Sequence, residues 1–319
     1  MGLTDRIFVS PSATGKFAAG TGFPPGHGVA SVKTYRYLRL GMLAAVAALS
    51  YSVLEERYAH GVGCFLGSIS GYYYTPVHSV FVGVLVAIGF ALIVIKGRTV
   101  VEDVCLSLAG VMAPIVALIP TSDDKSGVCR TEMYVSGHYL PPATDVRVAA
   151  NSISNDLHAY LFAGSVAIGL LLLAAFAQWR RSTRADGTTM DEYTTGTWWS
   201  LVGAVCLVLI GWILVEADYS WVLQGHARAA TAMFVFLAIA ALSNGILGIV
   251  KHYTKAGYAV VYIVVGAAML VSGAVFVGYQ LIDRSAFHGH LVLLIEIVEL
   301  ALFVTFWAMQ TVERWNETV

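Results

Sequence analysis

Residues 289–310 read GHLVLLIEIVELALFVTFWAMQ, an apolar run broken by only two charges, Glu296 and Glu299. A helix needs about 20 mainly apolar residues to cross a bilayer core, so this run is a spanning segment. Seven others precede it, near 38–54, 77–95, 100–119, 157–177, 198–216, 228–250 and 258–279. The first is short, and the third carries Glu102 and Asp103 near its start. The runs are continuous, whereas barrel strands alternate over about 10 residues, and a helix satisfies its own backbone inside lipid. Composition agrees: 57% of the 319 residues are hydrophobic and 12% charged, against roughly 25% charged in soluble domains. The expected fold is all-α, an integral membrane bundle of about eight transmembrane helices.

Basic residues set the orientation. With the N-terminus inside, the inner segments hold thirteen Lys and Arg, among them Lys33, Arg36, Lys96, Arg98, Arg180 and Lys255; the outer segments hold six, Arg57, Lys125, Arg130, Arg147, Arg228 and Arg284. That excess predicts both termini to be cytoplasmic, in a plasma or inner membrane. Residues 1–35 are polar and rich in Gly, Ser and Pro, and are expected to form a flexible cytoplasmic tail rather than a cleaved signal peptide. The eight-helix domain is then 36–312, with an outer cap loop at about 121–156, an inner loop at about 178–197 and a second short tail at 313–319. A net charge of −1 and the lack of a basic run argue against nucleic acid as a partner; the partner that composition implies is the lipid bilayer.

Four cysteines divide by position. Cys105 and Cys206 fall within helices and are expected to pack as small apolar groups. Cys64 and Cys129 both fall on the outer side, where oxidation is permitted, and are expected to form a disulfide. One internal echo links helices 2 and 4: His78 and His158 are each followed, after seven residues, by Val-Ala-Ile-Gly, at 86–89 and 166–169.

Two sets of residues point to chemistry. Seven histidines (His60, His78, His138, His158, His226, His288 and His290) fall on the outer side, and Asp156, Glu216, Asp218 and Asp283 stand near helix ends there. Even-numbered helices run the same way, so their outer ends meet in one layer. Imidazoles with nearby carboxylates can ligate Zn²⁺, pass protons or grip a polar ligand; interfacial His and Asp are also often simply hydrated. The second set is in helix 8. Glu296 and Glu299 lie roughly 12 and 16 Å below His288. An intramembrane carboxylate costs about 3 kcal/mol on insertion scales, so it faces the bundle interior and marks a functional site by default. The plainer alternative is a carboxyl group bonded to Asn244, Ser243 or Ser272 on a neighbouring helix. Pro114 breaks the hydrogen-bond ladder of helix 3. Glu102 and Asp103 read as interfacial and hydrated. Tyr72, Tyr73 and Tyr74, with Trp198, Trp199, Trp221 and Trp307 near helix ends, resemble an aromatic belt. No P-loop, GxSxG, HExxH or CxxC occurs.

The stretch from Ser68 to Gly83, SISGYYYTPVHSVFVG, resembles the opening of the second helix in a group of polytopic membrane proteins with no assigned activity, and the likeness continues to Thr121. A second likeness is to the CREST superfamily of membrane hydrolases, which includes alkaline ceramidases and adiponectin receptors. That family binds zinc through Ser-x3-His, an Asp and His-x3-His. Ser154-x3-His158 matches the first element and Asp218 stands for the second; the third is replaced by His288-x-His290.

Three functions follow as expectations. The first is a metal-dependent hydrolase acting on a lipid or headgroup at the outer face, with Zn²⁺ held among His158, His226, His288 and Asp218 and with Ser154 beside them. The second is a proton- or cation-coupled transporter using Glu296 and Glu299, which would carry a small polar ligand. The third is a non-catalytic partner of another membrane protein.

Overall fold

The computed structural model describes residues 27–59, 65–119, 145–182, 192–217, 225–252, 254–281 and 290–315. Every regular element among them is helical. Eight α-helices follow in order: α1 (His27–Ala59), α2 (His78–Val94), α3 (Val100–Leu118), α4 (Asp145–Ser182), α5 (Glu192–Ala217), α6 (Gly225–Val250), α7 (Ala256–Leu281) and α8 (Leu291–Glu313), with one 3₁₀ turn (Ser70–Tyr74) between α1 and α2. Seven are long and apolar enough to cross a membrane; α2, at 17 residues, is the short one. The chain is an all-α, multi-pass integral membrane protein. The first helix, short by its apolar run, carries a span of 25 residues from Thr34 to Tyr58. α1 begins at His27, inside the segment read as tail, and α4 begins at Asp145, inside the segment read as cap.

α3 occupies the centre and packs against α2, α4, α5 and α6; α7 lies along α6, and α8 closes against α1, α6 and α7. Small residues permit these approaches. A Cβ on Gly89 would stand 2.7 Å from the Gly110 carbonyl oxygen, and one on Gly110 2.6 Å from that of Gly89. The backbones of α2 and α3 therefore touch directly, as small-residue interfaces in membranes do. Gly110 is also four residues before Pro114, whose missing N–H leaves that carbonyl without its helical donor. α6 and α7 repeat the arrangement through Gly245 and Gly266, where an added Cβ would meet the Ala259 and Ala238 carbonyls at 2.7 and 2.8 Å. Outward faces are plainly apolar: Phe162, Leu170, Leu173, Ile213 and Val271 are all exposed, which suits lipid contact.

The sequence echo does not extend to packing. Gly89 is wedged against α3, whereas nothing lies within 4 Å of a Cβ placed on Gly169. Cys105 is buried, as expected, but Cys206 is exposed on α5 and faces away from the core. Cys64 and Cys129 lie outside the described residues.

Candidate functional site

Helix α8 carries most of the polar chemistry, and its first carboxylate is met by the turn between α1 and α2. That turn is built locally: the Gly71 N–H donates to Ser68 Oγ at 2.9 Å, and the Leu66 N–H to the Tyr72 hydroxyl at 3.3 Å. Burial pushes the Tyr72 phenol above its usual pKa. The Arg57 guanidinium lies 3.8 Å from the Phe65 ring centroid. The assembled turn then receives α8. The Leu293 N–H donates to the Gly67 carbonyl at 2.9 Å. Glu296 accepts from the Ile69 N–H and, at 2.6 Å, from the Ser70 hydroxyl. Glu296 therefore faces inward, and its partners are a loop backbone and a serine rather than a neighbouring helix.

Glu299, one turn deeper, is 2% exposed. Its Oε1 pairs with Ser272 Oγ of α7, while Oε2 is buried with no hydrogen-bond partner among the described residues. The same Ser272 hydroxyl lies 3.0 Å from the Met269 carbonyl. A hydroxyl has one proton and can donate to only one of these two acceptors at a time. When it donates to Met269, the hydrogen bond to Glu299 survives only if Glu299 carries a proton and donates. Of the three partners that the sequence suggested, Ser272 is the one that meets this pair; the Ser243 hydroxyl turns instead to the Ala240 carbonyl at 2.9 Å.

A second polar cluster sits at the opposite end of the bundle, and the sequence reading missed it. Glu102, expected to be hydrated, is fully buried. Its carboxylate accepts from Asn244 Nδ2 at 2.7 Å, Gln310 Nε2 at 2.6 Å, the Arg98 N–H at 2.7 Å and Arg314 Nη2 at 3.3 Å. Arg314 Nη2 also donates to Asn244 Oδ1 at 2.7 Å. One carboxylate thus ties α3 to α6 and α8. The correction has a local cause. Thr99 caps α3, accepting from the Glu102 N–H at 3.0 Å, and this fixes the first turn with Glu102 pointed into the bundle. Asp103 is buried as well, 3.3 Å from Lys96 Nζ. Arg98 reaches Thr254 Oγ1 at 3.0 Å and Glu313 at 3.4 Å, and the Tyr262 hydroxyl donates to Glu313 at 2.7 Å. The Thr-x-x-Glu spacing at 99–102 and the isolated Asn244 and Gln310 in apolar helices were the available signals.

The histidines are dispersed by comparison. His226 Nδ1 lies 2.7 Å from the Ile119 carbonyl, and burial lies around it. His158 Nδ1 lies 2.6 Å from the Ser154 carbonyl and 3.3 Å from Ser154 Oγ, while Nε2 is 3.5 Å from Glu216. The His78 ring packs edge-on to Tyr73 at 4.3 Å. His290 precedes α8, with a buried Nδ1 that has no partner among the described residues. His288 and Asp218 lie outside the described residues. Among the described residues no three His, Cys, Asp or Glu side chains come together as a metal-holding group. Both His158 and His226 have Nδ1 set against a main-chain carbonyl. No protein-family model, no curated protein and no solved structure matches the chain.

Proposed function

We propose that this protein is a proton- or cation-coupled membrane transporter in which Glu299 is the intramembrane carrier group and Glu296 its neighbour toward the α1–α2 turn. The observation that carries the reading is the Ser272 hydroxyl, set between the Met269 carbonyl and Glu299 Oε1, next to an Oε2 with no partner among the described residues. Two arrangements share this geometry. In one, a charged Glu299 accepts from Ser272; in the other, a protonated Glu299 donates to Ser272, which donates onward to Met269. A group that keeps a hydrogen bond in both protonation states can load and release a proton without disrupting its surroundings. A carboxylate so far along a spanning helix supports the same function.

The metal-dependent hydrolase is the weaker reading. Of its described candidates, Ser154 and His158 contact each other while His226 turns to the Ile119 carbonyl, and the Glu216 beside His158 is well exposed. A small polar solute accompanies the proton in the transport reading, and both termini are cytoplasmic. In that orientation Cys64 and Cys129 share the outer compartment; intact mass after alkylation without reductant tests their bridge, and two modified outer thiols exclude it.

The deciding experiment is proton flux into proteoliposomes under an imposed pH gradient, followed with an entrapped pH-sensitive dye. Glu299→Gln keeps the side chain's size and should insert normally while reducing flux to that of protein-free liposomes. Flux in Glu299→Gln equal to the parent's would overturn the assignment.

A further inference from the structure

The two polar stations of α8 lie on one face of the helix, and what separates them is aromatic. At 3.6 residues per turn, Glu299, Phe303, Phe306, Trp307 and Gln310 fall within a sector of roughly 100°, and Glu299 stands about 16 Å from Gln310 along the axis. Phe303, Phe306 and Trp307 are 3%, 1% and 0% exposed. Their rings interlock edge to face, Phe303 with Trp307 at 6.2 Å and Phe306 with Trp307 at 5.2 Å, and Tyr262 of α7 adds a fourth ring 5.7 Å from Phe306. No charge crosses such a layer while it is dry.

Three buried polar atoms without partners among the described residues mark this same face. They are Glu299 Oε2 on one side of the layer, Gln310 Oε1 on the other, and Trp307 Nε1 within it. Buried polar atoms are nearly always satisfied, so three on one helix face call for an account. Two are acceptors and the middle one is a donor. Water entering between them could accept from Trp307 Nε1 and donate to Gln310 Oε1.

We infer that this face of α8 is the proton route out of the Glu299 site, and that Phe303 and Phe306 are the residues that hold it shut. The inference rests on the transporter reading above. When the rings turn aside, water lines the face. The proton leaves Glu299 for that chain and exits past Gln310 at the Glu102 end, and the carboxylate left behind takes its next proton from the Glu296 end. Trp307 orients the water through its N–H and neither gains nor loses a proton. Gln310 also donates to Glu102, so the far end of the route is held in place by the Glu102–Arg314 cluster.

The test compares variants of the full-length protein in the same proteoliposome assay, after each has been checked for monodisperse elution. Phe303→Ala should raise proton flux at least tenfold, and Phe303→Leu, which disturbs packing less, should raise it severalfold. Adding Glu299→Gln to either should return flux to the protein-free level. Trp307→Phe keeps a ring but lacks the N–H, and should slow the parent's flux severalfold, the opposite of the rise expected if it only loosened the ring layer. Three results overturn the inference. Flux unchanged in both Phe303 variants, with the parent still dependent on Glu299, removes the barrier and leaves the transporter reading standing. A raised flux that survives Glu299→Gln means the leak runs elsewhere. A parent flux indifferent to Glu299→Gln removes the transporter reading itself, and the route with it.

Discussion

Helices α3 and α4 are both apolar enough to span a bilayer, yet 67% of the α3 span is buried inside the bundle and only 11% of the α4 span. α6 and α5 divide in the same way, at 50% and 11%. Apolarity does not choose between the two fates, because lipid tails are as apolar as leucine. What α3 and α6 share is small residues and isolated polar ones. Gly110 brings α3 against Gly89 of α2, with Ala109 and Ala113 also buried; Ala238, Ala240 and Gly245 are buried on α6; and Glu102 and Asn244 join the two helices through a hydrogen bond. α4 presents Leu170, Leu171, Leu172 and Leu173 outward instead, and holds α3 through a single described hydrogen bond, from the Tyr160 hydroxyl to the Val111 carbonyl at 2.9 Å.

That contrast can be broken most sharply at Arg314. Arg314→Ala leaves Glu102 buried with its cation gone, a loss of about 3–5 kcal/mol by comparison with other broken buried pairs. Thermal unfolding in detergent should show the largest drop of any single change considered, and an unchanged midpoint would mean that the cluster does not hold α3, α6 and α8 together. Gly89→Ala comes next, at ~1–3 kcal/mol, because its new methyl group collides with the Gly110 backbone. Its echo, Gly169→Ala on α4, meets open space and should be neutral or stabilising by up to ~1 kcal/mol; a destabilised Gly169→Ala would place an unseen neighbour against α4. Tyr160→Phe should cost about 1 kcal/mol through the lost bond to Val111. His158→Ala should fall within roughly 0.5 kcal/mol of the parent, since its 3.5 Å contact with Glu216 is open to solvent. A loss there as large as that for Gly89→Ala would mark the α4–α5 hairpin as a site in its own right.

The eight helices were legible because span length and composition depend on the chain's own residues. The inward face of Glu296 and Glu299 was legible for the same reason: no lipid-facing alternative is cheap enough. Their partners were not equally visible. Ser272, the one serine of α7, was among three side chains that the sequence offered as partners. The Ile69 N–H that meets Glu296 could not be, because a main-chain donor leaves no mark in the sequence. Glu102 was misjudged since a carboxylate near a helix start looks the same whether it meets water or Arg314. The histidines were legible in depth alone. His78, His158 and His226 sit near the same end of the bundle by count, but a shared depth says nothing about lateral distance. Here each ring finds its own neighbour, Tyr73, Ser154 or Ile119.

The docking of α8 on the α1–α2 turn also sets a timetable. Ile69 and Glu296 are 227 residues apart, and a ribosome adding about 5–20 residues per second needs roughly 10 to 45 s to travel between them. Throughout that interval the turn has reached the membrane with the Ile69 N–H and Ser70 hydroxyl still awaiting their acceptor. A chain interrupted before α8 would leave both donors without the acceptor that this fold gives them, so the α1–α2 turn is finished only when α8 docks.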